Sequence, residues 1–388
     1  MATAESTHRE TAAAEFRQRD AKAQWVAILG RRDEPTDGVE DYCVFLGRAL
    51  EQHAVKLRRM RVQWADGGWI GALRSLWRTS ADCKGDWCLL QYTTMGWSRR
   101  GFPFGAWIVF ALLRRRGLRC AVVFHEAWRQ SGNRFIDRVR GACQDWVIRR
   151  LYSSADRAIF PDPLDKIGWL PRNASRAVFI PIGANLPGGD WNDAGRERNG
   201  NGKTVAVFCL SDLPNRHREL ADIAQAMRTV AEYGIKAKVV FLGRGTEPAR
   251  EEINKLFDSV NSEAVNFGLQ TGLDLRRILS EADAMLCVRG PLYMRRGSAI
   301  AGIACGLPIV AYAGAAEGTP LEDAGVEFVP HLDRRALGNA LAQVLMNDEK
   351  LAELRRKSMD AQERHFSWVV IAEKMAGALE VGGNGTPA

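Results

Sequence analysis

Five short apolar runs recur through the second half of this sequence: TVAVFCLS at 204–211, KAKVVFLGRG at 236–245, AVNFGLQ at 264–270, DAMLCVRG at 283–290 and PIVAYAG at 308–314. Between them lie helix-patterned segments such as HRELADIAQAMRTVAEYG and GLDLRRILSEA. Strands that alternate with helices in this way pair in parallel, because a parallel partner needs a long crossover and a helix supplies it. The first half repeats the pattern with QWVAILG at 24–30, AVKLRRMRVQW at 54–64, DWCLLQYT at 86–93, RCAVVFHEAW at 119–128, RAIFPD at 157–162 and RAVFIPIGANLP at 176–187. The length of 388 residues suits two domains, each able to bury its own core. A sixteen-residue stretch rich in Gly, Asn and charge, GGDWNDAGRERNGNGK, reads as the linker between them. The expected partition is a disordered start at 1–20, a first domain at 21–187, the linker at 188–203, a second domain at 204–365, a closing helix at 366–381 and a disordered tail at 382–388.

The stretch RGPLYMRRGSAIAGIACGLPIVAY, 289–312, carries the clearest chemical signal. A basic loop with Arg295 and Arg296 breaks at Gly297, and Ser298, a preferred N-cap type, starts a helix of small apolar residues. A helix N-terminus offers free N–H groups and about half a positive charge, and adjacent arginines add full charges. This suits a phosphate or diphosphate. The plainer alternative is an ordinary capped helix with surface arginines. In the first half, strand RCAVVF stops at His125 and Glu126. Ligands of open α/β sheets bind outside the carboxyl ends of strands, so this pair stands where chemistry is usually done, although a lone histidine also serves structure.

Charge and aromatic placement say more than the net charge of +8. Residues 1–190 hold 30 Lys and Arg against 20 Asp and Glu, or +10; the remainder holds 24 against 26, or −2. Ten of the twelve tryptophans precede residue 170, several beside arginines, as in Trp69–Arg78 and Trp97–Arg100. Basic charge next to interfacial aromatics suits an anionic membrane surface or a polyanionic acceptor. No nucleic-acid-binding motif accompanies it, so nucleic acid is not expected as a partner. The run GFPFGAWIVFALL, thirteen uncharged residues, is too short for the ~20 that span a bilayer and reads as a buried helix. Eight cysteines without a C-x-x-C pair read as reduced core thiols of a cytoplasmic protein, with neither a disulfide framework nor a zinc site. The polar N-terminus lacks a signal-peptide core, so secretion is not expected.

The second half resembles the donor-binding half of GT-B glycosyltransferases, most closely glycosyltransferase family 4. The residues that carry this are the strand ending at Ser211 with its basic loop, then FLGRG, then FGLQTGLDLRRILSEADAML, then the helix ending A-C-G-L-P-I-V, with FSWVVIAEKM as the terminal helix. The first half is similar more loosely, through DGVEDY, FHE and IPIGAN. The resemblance implies an α/β fold of two doubly wound Rossmann-like domains facing each other across a cleft, and a retaining transfer of sugar from a nucleotide-diphosphate sugar to a glycan or lipid-linked glycan. It further implies that no divalent metal and no cofactor beyond the donor is required.

Under that reading Arg216 or Arg218, Arg244, Arg296, Gly297 and Ser298 would meet the diphosphate, and Gln270 and Thr271 the base. His125 and Glu126 would face the sugar and acceptor, with Gly38 and Asp41 on the acceptor side. The family's paired glutamates, seven residues apart, have no counterpart here, so their roles cannot be carried over. Two other readings stay open: a catalytically silent subunit that binds a nucleotide or a partner enzyme, and a nucleotide-sugar epimerase. The expected location is the cytoplasm, peripheral to the inner face of the cell membrane.

Overall fold

The computed structural model describes residues 23–130, 132–188, 202–260, 262–314 and 316–380. It divides into two compact units: the first reaches Ile180 and takes in the chain again from Ile371, and the second runs from Pro181 to Val370. The expected terminal tails and most of the expected linker lie outside the described residues. Lys203, assigned to the linker, opens the first strand of the second unit. The closing helix spans Trp368–Glu380.

The first unit is built on a six-stranded sheet of β1 (Ala23–Leu29), β2 (Val55–Arg61), β3 (Trp87–Tyr92), β4 (Arg119–Phe124), β5 (Arg157–Phe160) and β6 (Ala177–Phe179). Its order is β2-β1-β3-β4-β5-β6, and every pairing is parallel. All six residues of β3 are buried, as a parallel strand covered on both faces requires. β2 is an edge strand, which explains how it tolerates Arg58, Arg59 and Arg61. Phe124 stacks on Phe160 at 4.9 Å and meets Tyr92 edge-on at 5.6 Å, filling the space between sheet and helices.

The second unit holds β7 (Lys203–Phe208), β8 (Ala237–Leu242), β9 (Glu263–Gly268), β10 (Ala284–Cys287), β11 (Ile309–Tyr312) and β12 (Val326–Val329). These pair in parallel in the order β12-β11-β10-β7-β8-β9. β12 has no counterpart among the runs read as strands, because an edge strand of four residues with a half-exposed Glu327 carries little apolar signal.

In both sheets the strand order reverses once, between β1 and β3 and between β7 and β10. The crevices at those points receive ligands in open α/β sheets.

Two helices and one tryptophan of the first unit bear on the surface that the sequence pointed to. Helix Phe104–Arg115 buries Ala106, Val109, Phe110 and Leu113 but leaves Phe104 and Ile108 exposed, so it is not buried all round. Helix Trp64–Thr79 breaks at Gly68, and Ile70 and Trp77 point outward while Leu76 packs inward. Trp97, placed with surface arginines from the sequence, is a core residue whose Nε1 donates to the Gln91 carbonyl at 2.8 Å. Among the described residues no helix is long and apolar enough to cross a membrane.

Candidate functional site

The crevice of the first unit is acidic and already tied together. β1 exits at Gly30, where a Cβ would overlap the Gly96 carbonyl oxygen of the loop after β3, while the next amide, Arg31 N–H, donates to that oxygen at 2.7 Å. Only glycine allows this close approach. A Gly30→Ala substitution is expected to lower stability by ~1–3 kcal/mol, the usual range for overpacking. Gly297→Ala, where nothing lies within 4 Å of the added carbon, should change it by no more than ~0.5 kcal/mol. Thermal denaturation of the two variants side by side checks the contrast.

Helix Gly38–Leu50 starts from Asp37, whose Oδ1 accepts from the amides of Val39 (3.2 Å) and Glu40 (3.1 Å). Asp37 Oδ2 pairs with Arg61 at 3.1 Å, and Arg61 also donates to Glu40 (2.7 Å) and to the Gly30 carbonyl (2.9 Å). Gly38 is therefore the first helical residue behind a filled cap. Asp41 is exposed in the first turn, its carboxyl raised by partial burial and by Asp37 and Glu40. Asp37 and Arg61 are the organising pair here, and their 24-residue separation hides them from a local reading of the sequence.

His125 and Glu126 take different parts. Glu126 accepts the Thr94 amide at 2.8 Å, so its carboxylate holds the loop after β3. Gln91 is buried and directs its amide N–H to the Leu89 carbonyl at 3.2 Å, so its own carbonyl oxygen is what meets His125 Nε2 at 2.8 Å. Nε2 must then carry the proton, which leaves Nδ1 as an acceptor. Burial pushes the imidazole pKa down from 6.5 to about 4, against a smaller opposing pull from Asp37. His125 is thus a neutral, oriented acceptor at pH 7.

The crevice of the second unit has the opposite sign. β7 is followed by Cys209, which takes a left-handed φ of 69°, and by Ser211, and β10 ends in Cys287. Burial raises the Cys209 thiol, opposed by Arg289, Arg244 and Arg296, and the Arg244 carbonyl accepts the Leu210 amide at 3.0 Å, which places that turn beside the end of β7. Burial likewise pushes Cys287 up to about 12, opposed by Arg296 and Arg289. Arg289 Nε lies 3.4 Å from Ser211 Oγ, bridging the two strands at the reversal of order. Arg296 donates to the Arg289 carbonyl at 3.0 Å, and its own pKa is lowered by burial and then by Arg289. Gly243 and Gly245 flank Arg244 at φ of 82° and 83°, and a Cβ on Gly245 would overlap the Leu210 carbonyl. The FLGRG turn owes its glycines to that approach. Glu219 is buried and accepts the Ser211 amide at 2.8 Å, which fixes the end of β7.

Helix Gly297–Ala304 begins one residue earlier than the sequence suggests, with Arg296 in the N-cap position and no side-chain cap. Ser298 lies inside the first turn. The amides of Ala299 and Ile300 bond to the Arg296 carbonyl, whereas those of Gly297 and Ser298 have no acceptor among the described residues. Among the described residues two donors without an acceptor thus lie next to Arg296 and its partner Arg289, with the Arg244 turn beside the same strand end.

Other expected donor residues are turned to local tasks. Arg216 pairs with Glu252 at 3.1 Å, and Arg218 lies 3.4 Å from Asp222 and 3.5 Å from Glu219. Arg216 is paired away from the cluster, whereas Arg218 adjoins it through Glu219, which also holds the Ser211 amide. Gln270 folds its amide back onto the carbonyls of Phe267 (2.7 Å) and Leu269 (3.1 Å), and Thr271 caps helix Gly272–Glu281 through Asp274. Arg289, absent from the sequence-based set, is the added member. Its position directly after an apolar strand run was the available signal.

Comparison with solved structures bears on the whole architecture. HepE from Anabaena in complex with UDP and glucose superposes with a TM-score of 0.64 at 14% identity, over 92% of this chain and 100% of that one. Sucrose-phosphate synthase from Thermosynechococcus elongatus reaches 0.68 at 17%, over 92% and 98%. A glycosyltransferase from Rickettsia africae reaches 0.68 at 10%, over 94% and 100%. The fold is that of the GT-B glycosyltransferases. No family model matches the sequence, and no curated protein does. Within the GT-B architecture the expectation of two parallel, doubly wound sheets holds, and the order of the second, in which β7 to β9 run outward to one side and β10 to β12 to the other, is the dinucleotide-binding order.

Proposed function

We propose that this chain is a retaining glycosyltransferase that moves a sugar from a nucleotide-diphosphate donor to a glycan or lipid-linked glycan at the inner face of the cell membrane. The observation that carries the reading is the cluster of Arg244, Arg289 and Arg296 beside the free amides of Gly297 and Ser298, at the reversal point of the second sheet. Cleaving the bond between sugar and diphosphate puts negative charge on the leaving phosphate oxygen. Fixed cations and aligned N–H groups stabilise that charge without reorganising. In the first unit the helix starts at Gly38 and Thr94, which follow β1 and β3, already have side-chain acceptors in Asp37, Thr93 and Glu126. In the same unit His125, whose Nδ1 is left as an acceptor, is the residue proposed to take a hydrogen bond from a sugar hydroxyl. UDP in HepE, and UDP-glucose in another HepE structure, support a uridine diphosphate sugar as the donor to try first.

The decisive assay follows UDP-sugar consumption with and without acceptor. Turnover only with acceptor supports transfer, turnover without acceptor indicates an epimerase, and neither indicates a silent subunit. If the arginines neutralise the diphosphate, activity is expected to persist within about twofold in excess EDTA, a change of ~0.4 kcal/mol or less in the barrier. A collapse of activity that added Mg²⁺ restores would overturn the metal-independent reading.

A further inference from the structure

The outer face of the first unit carries apolar side chains that its core does not use. Helix Phe135–Ser154 turns Gly141, Gln144, Val147, Ile148 and Leu151 inward. On the opposite side Phe135, Val139 and Trp146 repeat at helical spacing, with Ile136 beside them. Phe135 is 80% exposed and Trp146 48%. Helix Phe104–Arg115 packs alongside and adds Phe104 and Ile108, with the Phe104 and Trp146 rings 5.8 Å apart. A helix that is apolar on its core face and again on its solvent face has a second apolar environment to meet.

Charge identifies that environment. Arg138, Arg149 and Arg150 flank the stripe and are exposed, and among the described residues none has a carboxylate within ion-pair distance. The acids of this helix are turned to other partners: Asp137 pairs with Arg140 at 2.7 Å and Asp145 with Arg129 at 3.4 Å. The stripe is therefore rimmed by positive charge that no carboxylate of the described residues pairs, Arg149 and Arg150 lying over the Trp169 and Trp107 rings at 6.0 and 5.1 Å. A second copy fits this poorly, because a two-fold interface would set the arginines of one stripe against those of the other.

We infer that the face formed by helices Phe104–Arg115 and Phe135–Ser154 docks on an anionic lipid surface. Phe135, Ile136 and Trp146 enter the headgroup boundary, and Arg138, Arg149 and Arg150 meet lipid phosphates. The docking face is thus one helix removed from the Trp97–Arg100 segment that the sequence pointed to, since Trp97 is in the core. The inference stands independently of the sugar-transfer reading.

Flotation of the full chain with phosphatidylcholine vesicles, with and without phosphatidylglycerol, tests it. Binding is expected with phosphatidylglycerol at low salt, and loss at high salt. Arg138→Gln, Arg149→Gln and Arg150→Gln should each weaken partition about fivefold, roughly a hundredfold together. Phe135→Ser with Trp146→Ser should weaken it at least as much. Circular dichroism melts check that these surface variants stay folded. Absence of flotation, equal binding to pure phosphatidylcholine, or binding indifferent to both sets of variants would overturn the inference. So would a dimer, seen by light scattering, that Phe135→Ser dissociates, because the face would then belong to a second copy.

Discussion

Arg296→Ala is expected to weaken UDP binding by roughly 10- to 150-fold and leave uridine binding nearly unchanged. A charge-assisted hydrogen bond is worth roughly 1.5–3 kcal/mol, and each 1.4 kcal/mol is a factor of ten in affinity. The Arg296 side chain is held by the Arg289 carbonyl in a crevice whose other charged neighbours are mostly cations. Like charges packed this closely repel in the empty site, so an entering diphosphate relieves repulsion as well as forming new bonds. Arg289→Ala should show the same selectivity, and the double variant should lose less than the sum, because each removal also relieves the other arginine. Arg216→Ala, which removes a partner of Glu252 away from the cluster, should leave UDP affinity within about threefold. Titration calorimetry with UDP and with uridine decides. Equal losses for the two ligands, or a larger loss in Arg216→Ala than in Arg296→Ala, would remove the cluster from the donor site.

What a local reading reached and missed here follows from range. The β-α alternation is written into short apolar runs, so both sheets, apart from the edge strand β12, and their ligand-facing ends were legible. The RRGSA segment was legible for the same reason, since loop, glycine and helix start are contiguous. Pairings over distance were not. Arg216 looks identical to any loop arginine until Glu252, 36 residues later, folds beside it. Arg289 becomes a site residue only because β10 lies next to β7, which brings it to Ser211 across 78 residues. The two faces of helix Phe135–Ser154 pose a different problem. Apolar residues on both sides blur the periodicity, and only the packed structure separates the side that touches the core from the side that does not.

Acid should weaken the first unit through His125, and replacing that residue should remove the effect. In the folded chain burial holds the imidazole at about 4, against 6.5 when exposed. Between those values the unfolded chain binds the extra proton and the folded chain does not. Stability from this group is therefore complete above about pH 6.5 and is lost as the pH falls toward 4, by at most about 3 kcal/mol. Ten of the twelve tryptophans lie before residue 170, so tryptophan fluorescence in urea reports mainly on the first unit and avoids assuming that both units unfold together. The stability curve of His125→Gln should be flatter than that of the parent over this window, and the difference between the curves isolates the group from other titrations. The same substitution tests the proposed chemistry: if His125 accepts from a sugar hydroxyl at the reaction centre, kcat/KM should fall by about 100-fold, while UDP affinity, which the proposal assigns to the arginine cluster, stays within about twofold. A parallel loss of UDP affinity, or an unchanged kcat/KM, would return His125 to a structural role beside Gln91.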